Sequence, residues 1–187
     1  MDNRQLIERY PWLAKDFNGD TYEGYDHTAL DEMPVGWRKA FGEEMQEELL
    51  EALEKTGNIN TYYVGQIKEK FGELRWYDCG GNEETDFIVE KYSRLSANIC
   101  IQCGRPDVPY TNGWIIPICE DCFNRAHGYL PEDQRHEAYL EVVKDSPSKM
   151  QMKAEFYRYE GNLKILDRTE DYTKTAQMIR DKYKKTL

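Results

Sequence analysis

Cys100-Ile101-Gln102-Cys103, fifteen further residues, then Cys119-Glu120-Asp121-Cys122: this stretch decides how the chain is read. Two Cys-x-x-Cys pairs at such a separation point to four thiolates gathered around one zinc ion. Each pair delivers two sulfurs from one tight turn, and two turns facing each other supply tetrahedral corners. Gly104 directly follows the first pair, where the backbone often turns left-handed or passes close to sulfur. Arg105-Pro106-Asp107 and Asn112-Gly113 are turn-forming, and Trp114-Ile115-Ile116 is strand-like, so a hairpin is predicted between the pairs. A disulfide pair would need an oxidising compartment. A redox motif ordinarily uses a single Cys-x-x-Cys. A shell of four sulfurs leaves no position open for water or substrate, so the site reads as structural.

Upstream of the cysteines, residues 83–97 read as a helix with Ile88, Tyr92 and Leu95 on one face. Before it, two antiparallel strands are predicted at 60–68 and 73–78, joined near Gly72. Alternation puts Leu74 and Trp76 on one face, and Arg75 and Tyr77 on the other. The strongest helical pattern runs from Pro34 to Thr56, with Gly57 as its stop. Phe41, Met45, Leu49, Ala52 and Leu53 form its apolar stripe. Glu43, Glu44, Glu47, Glu48, Glu51 and Glu54 fall on a separate arc. A solvated face is the simpler account of that arc. The sharper one is a row of negative charge that docks on a basic cleft, carried by Glu43, Glu47, Glu51 and Glu54. Residues 3–9 read as a short helix and 16–33 as a long turn-rich loop. Asp16, Asn18 and Asp20 alternate as in a calcium loop, but Gly19 is misplaced and the distal Glu is missing.

Downstream, a short helix is expected at 123–128 and another from Pro131 onward. Ser146-Pro147-Ser148 is the candidate boundary. A strand is predicted from Met150 to Tyr159 and its return from Leu163 to Leu166. The last helix, 170–185, has Ala176, Ile179 and Tyr183 inward and a basic end. These elements give an α+β fold: an antiparallel sheet with covering helices and an embedded four-cysteine zinc ribbon. The division is an acidic α+β part at 1–98, the zinc ribbon at 99–128, and a helix, hairpin and terminal helix at 129–187.

The 187 residues suffice for a sizeable core. No apolar run approaches a membrane span, and the first residues carry no apolar signal core, so a cytoplasmic protein is expected. Cys79, the fifth cysteine, reads as a free thiol. The formal charge is -10, which opposes generic binding to nucleic acid and favours a basic protein partner. Charge is uneven: residues 1–60 hold 6 Lys and Arg against 14 Asp and Glu, whereas residues 141–187 hold 11 against 8. Phosphate-binding glycine loops are absent from the sequence, and so is the zinc deaminase signature. His127 and His136 follow the second cysteine pair, where a metal-dependent nuclease would place catalytic histidines, but without a matching Asn-His spacing.

Met33-Pro-Val-Gly-Trp-Arg-Lys-Ala-Phe-Gly42, Ile67-Lys-Glu-Lys-Phe-Gly-Glu-Leu-Arg-Trp-Tyr77 and the two cysteine pairs with Gly113-Trp-Ile between them together resemble a group of small phage and prophage proteins, mostly without assigned function. The resemblance covers about residues 33–123. In size and acidity the chain is also similar to anti-CRISPR proteins. What this implies is a non-catalytic anti-defence protein acting on a host nucleic-acid-handling effector, such as a type II CRISPR nuclease, in the host cytoplasm. The alternatives are a zinc-containing nucleic-acid-binding module, using Arg75, Trp76, Tyr77, Lys182, Lys184 and Lys185, and a zinc-associated nuclease.

Overall fold

The computed structural model describes residues 1–16, 18–144 and 168–186. The Ser146-Pro147 boundary and the strands expected at 150–159 and 163–166 lie outside them.

Helix α1 (Asn3–Arg9) starts on Asp2, which accepts from the Gln5 N–H while the Gln5 side chain accepts from the Asp2 N–H. This reciprocal pairing satisfies two donors that a helix start leaves open. A 3-10 turn, Pro11–Ala14, then places Trp12 and Leu13 in the core, with the Trp12 indole donating to Gln46 at 2.8 Å. A second 3-10 turn, Ala29–Glu32, breaks the long loop expected at 16–33.

The helix expected from 34 to 56 is not uniform. A short α2 (Val35–Trp37) passes through a π turn (Arg38–Gly42) into α3 (Glu43–Thr56). The wide turn sits where the helix changes partners. Gly36 and Trp37 face the cysteine loops, with the Trp37 indole donating to the Ile99 carbonyl at 2.9 Å. Phe41 instead stacks on Tyr92 at 5.1 Å. All five residues of the expected apolar stripe are buried. Gly57, left-handed at φ 73, ends α3.

Strands β1 (Tyr63–Lys70) and β2 (Glu73–Cys79) form a two-stranded antiparallel sheet with Ile67 opposite Trp76 and Glu69 opposite Leu74. The register shifts between Val64 and Gln66, which makes Gly65 a bulge. Val64, Ile67, Leu74 and Trp76 form the buried face. Among the described residues the sheet has these two strands alone, and a side chain meets an outward N–H on each of them. Glu32 accepts from the Ile67 N–H at 3.1 Å, and Ser96 accepts from the Leu74 N–H at 2.8 Å.

Helix α4 (Glu83–Ser96) begins at Asn82, which accepts from the Glu84 and Thr85 N–H groups. Glu83, Glu84 and Asp86 in its first turn suit the helix dipole. Ile88, Tyr92 and Leu95 are buried as their spacing indicates. Among the described residues, three helices follow the first cysteine pair: α5 (Glu120–Ala126), α6 (Glu132–Val143) and α7 (Thr169–Lys184). The main core gathers residues from α1 to α4 with Ile179 of α7. A second, smaller cluster packs Val108, Ile118, Phe123 and Tyr139 around Cys100, Cys119 and Cys122. Among the described residues no helix is long and apolar enough to cross a membrane.

Candidate metal centre

The first cysteine turn is closed by two backbone bonds. Cys100 N–H donates to the Arg105 carbonyl at 2.7 Å, and Gly104 N–H donates to the Cys100 carbonyl at 3.0 Å. Gly104 has φ 82, a conformation that glycine adopts without strain. The turn lies directly on α2. Gly36 N–H donates to the Ile101 carbonyl at 2.9 Å. A methyl group at Gly36 would stand 2.7 Å from that carbonyl oxygen and closer still to the Cys100 oxygen. One at Gly104 would stand 2.8 Å from the Gly36 oxygen. Two glycines thus let two backbones meet without side chains between them.

The second pair sits differently. Cys119 is the N-cap of α5, and Cys122 lies in that helix's first turn, its N–H donating to the Cys119 carbonyl at 3.1 Å. The sequence places this helix at 123–128; it begins three residues earlier and carries the second pair. Trp114-Ile115-Ile116 is not a strand. Single bridges, Ile99 to Pro106 and Tyr110 to Pro117, stand in place of a ladder. The two prolines lack the N–H groups that a ladder would use.

All four sulfurs lie within 4.8 Å of one another, and Cys103 Sγ to Cys119 Sγ measures 3.7 Å. Zinc–sulfur bonds of about 2.3 Å at tetrahedral corners require sulfurs about 3.8 Å apart. The cysteines are free thiols, three of them buried and Cys103 half-buried. Hydrogen bonding with Cys119 comes first in pulling the Cys100 thiol below its usual range, and Cys119 N–H donates to Cys100 Sγ at 3.5 Å. Four thiolates at this spacing repel one another unless a cation lies among them. The four residues therefore fit a metal ion. Arg125, whose guanidinium donates to Cys122 Sγ at 2.7 Å, adds positive charge from outside the set.

The glutamates of α3 have separate fates. Glu43 pairs with the Met1 amino group at 2.8 Å. Glu47 accepts two hydrogen bonds from Arg9 and one from the Tyr10 hydroxyl; the Arg9 hydrogen bond leads in holding its carboxyl below the usual range. Glu44 pairs with Lys182, and Glu48 with the buried Lys91. Glu51 and Glu54 are exposed and in no ion pair among the described residues. The arc is thus partly an internal fastening, linking α3 to α1, α4 and α7.

The residues considered for nucleic acid are dispersed. Trp76 is buried and donates to the Tyr62 hydroxyl, so it presents no face to a base. Arg75 pairs with Glu73, while Tyr77 is exposed. Lys182 is engaged by Glu44, and Lys184 lies 3.9 Å from Asp181. The histidines do not converge. His127 stacks on Phe123 with its Nδ1 at 2.8 Å from the Phe123 carbonyl, whereas His136 meets Glu120 at 2.6 Å.

Sequence reasoning missed the residues that tie the cysteine loops to the rest. These are Gly36, Arg105 and Asp107, the last two held by Tyr183 and Arg180 of α7, whereas Gly104 was singled out by its place after the first pair. An isolated glycine inside the helical pattern at 34–56 was the available signal. No known family, characterised protein or solved structure matches this chain.

Proposed function

We propose that this protein is a non-catalytic binding protein whose scaffold is fixed by one structural zinc ion. The convergence of four cysteine sulfurs, three of them buried, carries this reading. Sulfur-only donor sets suit zinc, and a shell filled by four protein ligands keeps no place for a reacting group. Iron would also accept four thiolates, so metal analysis decides the identity. Protein purified under reducing conditions is expected to hold one zinc per chain, and Cys100→Ser is expected to lose it together with much of the local fold. Metal-free, fully folded wild-type protein would overturn the reading.

The partner we propose is a protein with a basic surface, met by the acidic side of the molecule. Support comes from the net charge of -10 and the exposed Glu51 and Glu54. Charge complementarity of this kind speeds encounter and sets orientation more than it adds affinity. Glu43 and Glu47 contribute through internal pairs, so the contact falls chiefly to Glu51 and Glu54. The resemblance of residues 33–123 to phage proteins extends the proposal to an anti-defence role against a nucleic-acid-handling effector in a reducing compartment. A pulldown from bacterial lysate with wild type and a Glu51→Lys, Glu54→Lys variant tests it. Capture of a basic protein that the variant releases is expected; equal capture by both removes the acidic face from the mechanism.

A further inference from the structure

Phe71 and Gly72 form the two-residue turn between β1 and β2, both left-handed, at φ 56 and 78. Such turns match the twist of a hairpin and ordinarily carry Asn or Gly at the first position. A phenylalanine there is strained, and its side chain is 64% exposed, so the core gains nothing from it. Strain kept at an exposed residue points to a use outside the fold.

A second aromatic stands beside this turn. A methyl group on Gly72 would lie 2.5 Å from the Tyr110 ring and 3.3 Å from Ile115, so the turn packs on the loop between the cysteine pairs. The residue before Ile115 is Trp114, 80% exposed. The outer face of the hairpin continues the pattern. Tyr77 is exposed there, with Lys68 Nζ 4.9 Å from its ring centre, and Lys70 Nζ lies 5.4 Å from that of Phe71. Neither lysine is in an ion pair among the described residues. The nearby carboxylates are engaged: Glu73 by Arg75, and Glu69 by the Gly72 N–H.

We propose that the hairpin tip and the adjoining cysteine loop bind single-stranded nucleic acid, with bases stacking on Phe71 and Trp114 and phosphates meeting Lys68 and Lys70. Every large apolar side chain exposed at this tip is aromatic. Bare rings interleaved with lysines are the arrangement that stacks unpaired bases. A groove for a protein segment would bring exposed aliphatic walls, whereas Ile115 and Ile116 beside the tip are half-buried. The net charge of -10 opposes a polyanion from afar, but salt of about 0.1 M screens charges more than roughly 10 Å away and leaves the local lysines to act. This surface is separate from the acidic face, and its failure would leave the zinc and basic-partner readings as they stand.

Trp12, Trp37 and Trp76 are buried, so among the four tryptophans only Trp114 answers to a ligand at the surface. Titrating the metal-loaded full chain with an oligo-dT of about fifteen nucleotides at about 0.1 M salt, where the distant negative charge is screened, is expected to quench its fluorescence. The logarithm of affinity should fall with that of salt at a slope near -1.4, about 0.7 for each lysine set on a phosphate. With labelled oligonucleotide, Phe71→Ala and Trp114→Ala should each bind roughly tenfold more weakly at unchanged melting temperature. A Lys68→Glu, Lys70→Glu variant provides the same test without touching the turn. No quenching at about 0.1 M salt, or affinity unmoved by all of these variants, overturns the proposal. So does quenching by an oligoglutamate peptide with none by the oligonucleotide, which would assign the surface to a protein.

Discussion

At the residue scale, Gly36 decides whether the cysteine turn can lie against α2 at all. Backbone oxygens of Cys100 and Ile101 occupy the space where a side chain would begin. Gly36→Ala should therefore cost roughly 3 kcal/mol or more, above the usual overpacking range because the opposing atoms are main chain and cannot rotate away. Urea unfolding of the metal-loaded protein measures this. Asp78 has the opposite character. Burial comes first in raising its carboxyl above 3.8, against the hydrogen bond from Tyr62, and its Oδ2 is buried without a partner. A raised acid favours the fold while protonated. Its contribution is complete below 3.8 and is lost as pH rises through the folded value. Asp78→Asn should thus be more stable than wild type above that window, with a difference that grows as pH rises from about 4. Urea midpoints of the two proteins across pH check this, and the comparison cancels titration at the cysteines.

At the element scale, the β1–β2 turn sets stability against use. Replacing Phe71 by Gly should stabilise the protein by about 0.5–1 kcal/mol, since the left-handed position strains any residue with a Cβ. The same change should weaken the proposed nucleic-acid contact, so opposite signs in a thermal melt and an oligonucleotide titration are expected. Elements with strong periodicity were legible in the sequence: α4 with Ile88, Tyr92 and Leu95, the stripe from Phe41 to Leu53, and both strands. The π turn was not, because apolar spacing over 34–56 fits a uniform helix, and the change of partner at Gly36 depends on Cys100 and Ile101, 64 and 65 positions away. The start of α5 was hidden for a related reason. Cys119 and Cys122 read as a turn by spacing alone, and nothing local says that the turn continues into a helix. The strand expected at Trp114-Ile115-Ile116 followed β propensity, which yields to context when no neighbouring strand is available.

At the scale of the whole molecule, α7 fastens the two clusters together. Arg168 reaches Glu84 and lies 3.5 Å over the Phe87 ring, Lys182 holds Glu44, and Arg180 and Tyr183 hold Asp107 and Arg105 of the cysteine loop. Ile179 between them is buried. Exposed ion pairs contribute little singly, so the apolar contact and the arginine forks carry most of this join. Ile179→Ala should cost about 2–4 kcal/mol, and the loss should appear in both clusters as a single cooperative transition in calorimetry. The cysteine spacing pointed to four sulfurs that could hold a metal ion; their integration into the core was not legible, because it rests on long-range contacts between residues with no shared pattern.

The buried bond from the Trp37 indole to the Ile99 carbonyl has a practical consequence. Ile99 immediately precedes the first cysteine, so the geometry of that carbonyl follows whatever the thiolates hold. An indole proton resonates apart from the crowded amide region of an NMR spectrum, and Trp37 supplies one from the interior of the protein. Loading or stripping the ion should move that one peak, so the protein carries its own internal gauge of occupancy.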